Sequence, residues 1–256
     1  MDSVAFRLGS LTIHWYGIFI ATAVLLGFFL ARRLGRRFGM DLSHFEEYLL
    51  YAVPIAVVGA RLWYVLFNLE RYLADPVTIF YVWQGGLAIH GLVLACVAFA
   101  VFYCRWRGIS FWRFTDAASP ALLLGQAIGR WGNYANQEAY GRLTDLPWAM
   151  YIAGGYRHPT FLYEFFWNLM IVALMLFFVF RRKPLPGQVF ALYLAGYSTG
   201  RLWIEALRTD SLMLGPFRVA QLVSIAMIIA GIALYLRARK TREPEQAKGG
   251  DTGESA

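Results

Sequence analysis

Five apolar runs, each long enough to cross a bilayer and separated by short clusters of arginine and lysine, leave this chain few ways to fold. A spanning helix needs about 20 mostly apolar residues, and residues 11–31, 48–67, 87–106, 160–180 and 217–236 meet that plainly. A sixth run, 188–206, is long enough but carries Arg201 and Glu205. A seventh, 117–132, is short and rich in Gly, Ser and Ala, so hydropathy alone does not establish it. Only 16% of the 256 residues are charged and 59% are hydrophobic. A soluble domain carries about 25% charged residues, so there is too little polar surface to cover a water-facing globule. The net charge of +8 does not indicate nucleic-acid binding, because the basic residues fall between apolar runs and not on one amphipathic face.

Those clusters set the topology. Arg32, Arg33, Arg36 and Arg37 follow the first run, and Arg105, Arg107 and Arg113 surround the end of the third. Arg181, Arg182 and Lys183 follow 160–180, and Arg237, Arg239, Lys240 and Arg242 follow the last run. Residues 68–86 hold only Arg71, and 133–159 only Arg142 and Arg157. By the positive-inside rule the four clusters face the cytoplasm. The chain then leaves the cytoplasm near residue 113 and returns by 181, so 117–132 must cross as well. The expected fold is an all-α integral membrane protein, a bundle of seven transmembrane helices over 1–236 with the N-terminus outside and the C-terminus inside. Residues 133–159 form a small extracytoplasmic head, and the polar segment 237–256 is expected to be a disordered cytoplasmic tail. The N-terminus lacks the basic n-region of a cleaved signal, so the first helix is expected to be retained. Cys96 and Cys104 lie eight residues apart in one run. That is about 12 Å along a helix, too far for a disulfide, and neither has a partner at metal-ligand spacing. They read as packing.

Ionisable groups inside a bilayer are expensive and default to functional candidates. In this topology Tyr16, Arg61, His90, Arg130, Glu164, Arg201 and Glu205 all lie in the outer halves of their helices. The inner halves hold almost none, with Asp116 the main exception. Each could serve as bundle glue or snorkel to the interface. Their convergence on one side points to a pocket open to the outer leaflet.

Two constellations sharpen that expectation. In GYSTGRLWIEALR, Tyr197, Arg201, Glu205 and Arg208 sit at i, i+4, i+8 and i+11, within about 80° of one another on a helix. Glu205 is placed to pair Arg201; the plainer reading is an ordinary interhelical ion-pair stripe. In GRWGNYANQEAYGR, residues 129–142, Arg130 and Asn133 share a face at the outer mouth. Gly125, Gly129 and Gly132 recur at spacings that let a neighbouring helix approach. Asn136, Glu138 and Gly141 follow, so amide, guanidinium and backbone donors surround one spot. Such donors suit phosphate, which a guanidinium binds bidentately. The plainer reading is a glycine-lined packing turn with incidental polar groups.

The 129–141 stretch resembles the motif of the prolipoprotein diacylglyceryl transferases, Gly-Arg-x-Gly-Asn-aromatic-x-Asn-x-Glu-x-x-Gly, with every fixed position filled. HWYG (14–17), VGARLWYVLF (58–67), GGLAIHG (85–91), RHPTFLYE (157–164), PGQVF (186–190) and GRLWIEALR (200–208) resemble the other family blocks in order. Two positions depart from it, Leu92 after His90-Gly91 and Ala220 before Gln221, where the family has glycine. The resemblance implies transfer of the diacylglyceryl group of phosphatidylglycerol to the lipobox cysteine of a preprolipoprotein, releasing glycerol phosphate, with no cofactor and no metal. It also implies a bacterial cytoplasmic (inner) membrane setting. Carried over by position, the important residues fall on Tyr16, His90, Arg130, Asn133, Glu138, Gly141, Tyr197 and Arg201. Arg130, Arg201 and His90 are the catalytic candidates. Tyr16, Arg61, Asn133, Asn136, Glu138, Gly141, Tyr197 and Glu205 are the candidates for binding or holding the headgroup. His90 either accepts the thiol proton or positions the headgroup. A transporter or lipid flippase is the alternative class; it wants polar groups continuing into the inner half, which this sequence lacks. A membrane scaffold is the third, and would need Arg130 and His90 for stability alone.

Overall fold

The computed structural model describes residues 4–9 and 11–249. It is helical, with three two-stranded antiparallel hairpins added. The helices are α1 (Trp15–Arg37), α2 (Ser43–Leu66), α3 (Leu69–Ala74), α4 (Ile89–Trp106), α5 (Phe111–Ala135), α6 (Thr160–Arg181), α7 (Gln188–Ile204) and α8 (Val219–Gly249). The strands are β1 (Val4–Leu8), β2 (Leu11–His14), β3 (Met150–Ile152), β4 (Gly155–Arg157), β5 (Met213–Leu214) and β6 (Phe217–Arg218). Among the described residues, five helices are long and apolar enough to cross a membrane: Trp15–Arg37, Ser43–Leu66, Ile89–Trp106, Thr160–Arg181 and the Val219–Lys240 part of α8. The chain is therefore a multi-pass membrane protein. Helices α5 and α7 coincide with the two remaining expected crossings and carry the polar residues that lower their hydropathy.

Several boundaries differ from the hydropathy reading. The first helix starts at Trp15, because residues 11–14 pair as β2 with β1, Leu8 opposite Leu11 and Arg7 opposite Thr12. The apolar run thus divides between a strand and a helix, which hydropathy does not distinguish. At its other end α1 takes in Arg36 and Arg37 as its last turn, where cations suit the carbonyl end of the helix dipole. Helix α5 has 25 residues, about 37 Å at 1.5 Å per residue, far more than the 117–132 window. The expected tail from Arg237 continues α8 as backbone helix to Gly249, and residues 250–256 lie outside the described residues.

The chain divides into two compact units. One comprises Gly35–Phe114, the other the preceding chain up to Leu34 together with Thr115 onward. In the Gly35–Phe114 unit α2 packs on α4 at a glycine crossing. A Cβ on Gly59 would lie 2.7 Å from the Gly91 carbonyl oxygen, so neither position admits a side chain without separating the helices. Leu92, where the family has a second glycine, is half-buried in an unbroken α4. Between these helices the chain makes α3 and two 3-10 turns, Pro76–Phe80 and Val82–Gln84. Arg61 organises that loop. Its Nε donates to Ile79 O (2.8 Å), Nη1 to Gly85 O and Gly86 O (2.8 and 3.0 Å) and Nη2 to Thr78 O (2.5 Å). At the other end Tyr103 donates to Glu47 (2.8 Å), which also ion-pairs Arg107.

In the larger unit α6 packs on α7. Trp167 lies across α7, its indole N–H donating to Gly196 O at 2.9 Å. Asp116, buried to 1% exposure, accepts hydrogen bonds from Gly187 N (2.7 Å) and Phe190 N (2.8 Å). It thus satisfies amides at the start of α7, which a helix leaves without internal partners. Asp116, the exception expected of the inner halves, is a cap supplied from another helix.

Candidate active site

Within the larger unit the head segment brings the ends of α5, α6 and α7 together. The chain leaves α5 through a tight turn in which Asn136 N bonds Gly132 O and Glu138 N bonds Asn133 O, both at 3.0 Å. Gln137 and Ala139 adopt positive φ (54° and 57°), a strained state for non-glycine residues that persists where surrounding structure over-determines it. Residues 141–144 then run extended between two neighbours. Gly141 N bonds His158 O (3.0 Å), Arg142 N bonds Leu207 O (2.9 Å) and Thr144 N bonds Tyr156 O (3.0 Å). A Cβ on Gly141 would fall 2.9 Å from His158 O and 3.1 Å from Thr160 Cγ2, so glycine is required by crowding there. Gly132 is tight for another reason: a Cβ would lie 2.6 Å from the Tyr16 ring, which packs against that position. Gly125 makes only ordinary contact with Ala23, and Gly129 has nothing within 4 Å, so the expected stripe of close approach narrows to Gly132.

Glu164, on the second turn of α6, is the hub. It is 3% exposed, in a unit of apolar helices. Its Oε1 accepts from Arg201 Nη1 at 2.8 Å and lies 3.6 Å from Arg208 Nη1. Its Oε2 is 2.9 Å from Arg130 Nε, an ion pair lacking hydrogen-bond alignment. A buried carboxylate is tolerated when paired, and here one anion gathers guanidiniums from α5, α7 and the turn after α7. Arg201 also pairs Glu205, four residues on, at 2.7 Å, the contact their spacing indicated. The one-face stripe ends there, because Glu205–Leu207 tightens into a 3-10 turn and Arg208 is extended. Arg208 still returns to Glu164 and donates two hydrogen bonds to Asp210, at 2.9 and 2.7 Å. Burial works against the Arg208 charge, but Asp210, Glu164 and Glu205 outweigh it and hold its pKa above the ordinary value. Arg218 adds a further guanidinium, donating to the carbonyls of Glu205 and Arg208.

The motif side chains form a second tier. Arg130 Nη1 donates to Asn133 Oδ1 at 3.3 Å, and Glu138 Oε1 accepts from Asn133 Nδ2 (3.0 Å) and Asn136 Nδ2 (3.3 Å). Arg130 is thus oriented through Asn133 by Glu138, while its Nη2 has no partner among the described residues. Tyr197 stacks on Tyr193 (centroids 6.0 Å, 13° between planes) one turn below Arg201. The larger unit therefore brings together Tyr16, Arg130, Asn133, Asn136, Glu138, Gly141, Tyr197, Arg201 and Glu205. Arg61 and His90 belong to the Gly35–Phe114 unit. His90 is exposed on the first turn of α4, its ring centroid 6.3 Å from that of Trp63. Glu164 and Arg208 were absent from the binding set drawn from the sequence. Both lay in recognised blocks, and the signal for Glu164 was its cost, a carboxylate in an apolar run. Among the described residues no group of three or more His, Cys, Asp or Glu is placed to hold a metal ion.

The ends of these apolar helices thus meet at a buried carboxylate that gathers three guanidiniums. Comparison with known proteins carries this further. The family model described as prolipoprotein diacylglyceryl transferase matches residues 3–237. Proteins named phosphatidylglycerol–prolipoprotein diacylglyceryl transferase from Bacillus cereus strain B4264, Bacillus cytotoxicus and Bacillus anthracis are each 46% identical to it over 259 aligned residues. Each alignment covers 96% of this chain and 95% of the relative. The chain belongs to the prolipoprotein diacylglyceryl transferase family, and it is an enzyme.

Proposed function

We propose that this enzyme transfers the diacylglyceryl group of phosphatidylglycerol to the thiol of the lipobox cysteine of preprolipoproteins, releasing glycerol phosphate. The observation that carries the site assignment is the Glu164 hub. It holds Arg130 and Arg201 together while leaving Arg130 Nη2 without a partner among the described residues. The relatives share the name of a transferase, which favours this reading over a transporter. In this reading the protein crosses the bacterial cytoplasmic (inner) membrane seven times, with α5 and α7 as the polar crossings. The N-terminus and the 133–159 head lie outside, the arginine clusters and the tail from 237 inside. The catalytic domain is 1–236, and the site faces the outer leaflet.

The substrate cysteine supplies the nucleophile, as thiolate. Its sulfur forms a bond to the glycerol carbon bearing the phosphate ester, the carbon–oxygen bond breaks, and the electron pair leaves on the phosphate oxygen. A phosphodiester carrying one negative charge thus becomes a monoester carrying a second. Arg130 and Arg201 stabilise that added charge, already oriented before it develops. His90 is the candidate acceptor of the thiol proton, histidine being the side chain most often used as a general base. Tyr16, Asn133 and Tyr197 orient the headgroup, and Asn136, Glu138 and Glu205 hold donors in place. Arg61 acts through the loop whose carbonyls it binds.

The test is transfer of radiolabelled diacylglyceryl from phosphatidylglycerol to a lipobox peptide by the purified protein and by Arg130→Ala and Arg130→Lys. Loss of one such donor costs about 10²–10³ in rate. The lysine variant is expected to be severely damaged too, because a point charge loses the fork geometry. Near-normal transfer by a folded Arg130→Lys would remove the phosphate-clamp role. No transfer by a folded wild type would remove the reaction.

A further inference from the structure

One turn further from the head than the arginine hub lies a second polar layer, of which the mechanism above uses only Tyr197. Helices α5 and α6 run antiparallel: Tyr134 stacks on Phe161, Trp131 meets Phe165, and Arg130 pairs Glu164. Stepping back four residues on α5 and forward four on α6 therefore reaches the same level, at Gln126 and Asn168. Helix α7 is antiparallel to α6 as well, Arg201 meeting Glu164 while Gly196 meets Trp167 and Ile171. Tyr197 lies at the Asn168 level, and Tyr193 below it accepts a hydrogen bond from Gln126 Nε2 at 3.1 Å.

Asn168 is 2% exposed, and among the described residues its buried Nδ2 has no hydrogen-bond partner, nor has the buried Oε1 of Gln126. Buried amide groups in folded proteins are almost always satisfied, and the penalty is greatest where no water competes. The fold also spends polar groups frugally elsewhere at this depth, where α6 offers Phe165, Ile171 and Val172. A neutral donor kept unpaired here is matched to a neutral acceptor that arrives with the ligand. An anion would be held at the guanidinium layer instead. In a glycerolipid that acceptor is the acyl-ester carbonyl. The nearest ester sits on the glycerol carbon adjacent to the one bearing the phosphate, a spacing of the same order as the helical turn between hub and Asn168, about 5.4 Å.

We propose that Asn168, with Gln126 beside it, forms an ester-carbonyl subsite, Asn168 Nδ2 donating a hydrogen bond to an acyl ester of the bound diacylglyceryl donor. The inference rests on the transferase reading and adds a selection rule to it: ester-linked donors are preferred over ether-linked ones. Rotation of the Gln126 amide lets the Tyr193 hydroxyl donate to Oε1 and frees Nε2 as a second donor.

The experiment measures kcat/KM of the purified full-length protein for phosphatidylglycerol and for its diether analogue of equal chain length, with a lipobox peptide as acceptor. The analogue keeps the phosphate and the reacting carbon and lacks only the carbonyls. The wild type is expected to favour the ester donor about tenfold, the worth of one neutral hydrogen bond at a site otherwise left unpaired. Asn168→Leu is expected to lose about tenfold on the ester donor and little on the diether, bringing the two together. Equal use of both lipids by the wild type overturns the proposal without any variant, so it stands or falls even where Asn168→Leu does not fold. An equal loss on both lipids by a folded Asn168→Leu also overturns it, because a merely structural role moves both. Wild type that transfers from neither lipid overturns the transferase reading itself, a result distinct from the other two.

Discussion

Arg61 and Arg130 are both guanidiniums near the ends of membrane helices, and the structure uses them in opposite ways. Every donating nitrogen of Arg61 is taken by a backbone carbonyl of residues 78–86. Arg130 is held by one carboxylate and one amide, and its Nη2 has no partner among the described residues. In the first case the charge is spent on closing a loop whose carbonyls would otherwise lack partners. In the second it is oriented by neighbours and left with capacity for a ligand. Position near a helix end does not separate the two roles; what the donors already bind does.

The contrast is broken most readily at the hub. Glu164→Gln removes the anion that three guanidiniums share, and the variant is expected to lose about 100-fold in transfer, the scale of an approximately 1 Å misplacement of a reacting group. Because Glu164 acts through Arg130 and Arg201, the loss should fall on kcat more than on KM, as steady-state kinetics on the folded variant would show. An unchanged kcat would mean that the arginines do not need their common anchor. Arg61→Ala should report on stability first. Loss of a charged hydrogen-bond donor set of this kind costs about 3 kcal/mol, or a melting temperature lower by about 10 °C at this chain length. Differential scanning fluorimetry in detergent would measure it. Unchanged melting combined with lost transfer would place Arg61 with Arg130 and erase the distinction. The smallest effect belongs to Asp210. Its burial acts to raise its pKa, but the two Arg208 hydrogen bonds and the Arg208 charge outweigh this and hold the carboxyl below its ordinary value. The pair's stabilisation is therefore fully present above the unfolded pKa of about 3.9 and fades as pH falls through the lower folded value. Asp210→Asn should melt about a degree or two lower at pH 7, with the difference vanishing in acid. A difference that persisted once the carboxyl is protonated would mean that ionisation of Asp210 is not its source.

Much of this protein was legible in order of residues alone. The apolar runs and the basic clusters between them specify membrane helices, because in lipid a helix must satisfy its own backbone and hydropathy is then a local property. The Arg201–Glu205 pair was legible for the same reason, since four residues is one helical turn. So was the block from Gly129 to Gly141, whose Asn133, Asn136 and Glu138 bond within a few residues of one another.

What only the tertiary structure decided are the contacts between segments far apart in the chain. Glu164 meets Arg130 and Arg201 from 34 and 37 residues away, a register set by how α5, α6 and α7 pack. Asp116 caps a helix that starts more than 70 residues later. The same packing removed Arg208 from its helix face and still returned it to the hub. It also left Nδ2 of Asn168 without a hydrogen-bond partner among the described residues. Periodicity places a side chain on a face of its own helix; which groups wait on the facing helix depends on packing that no local pattern encodes.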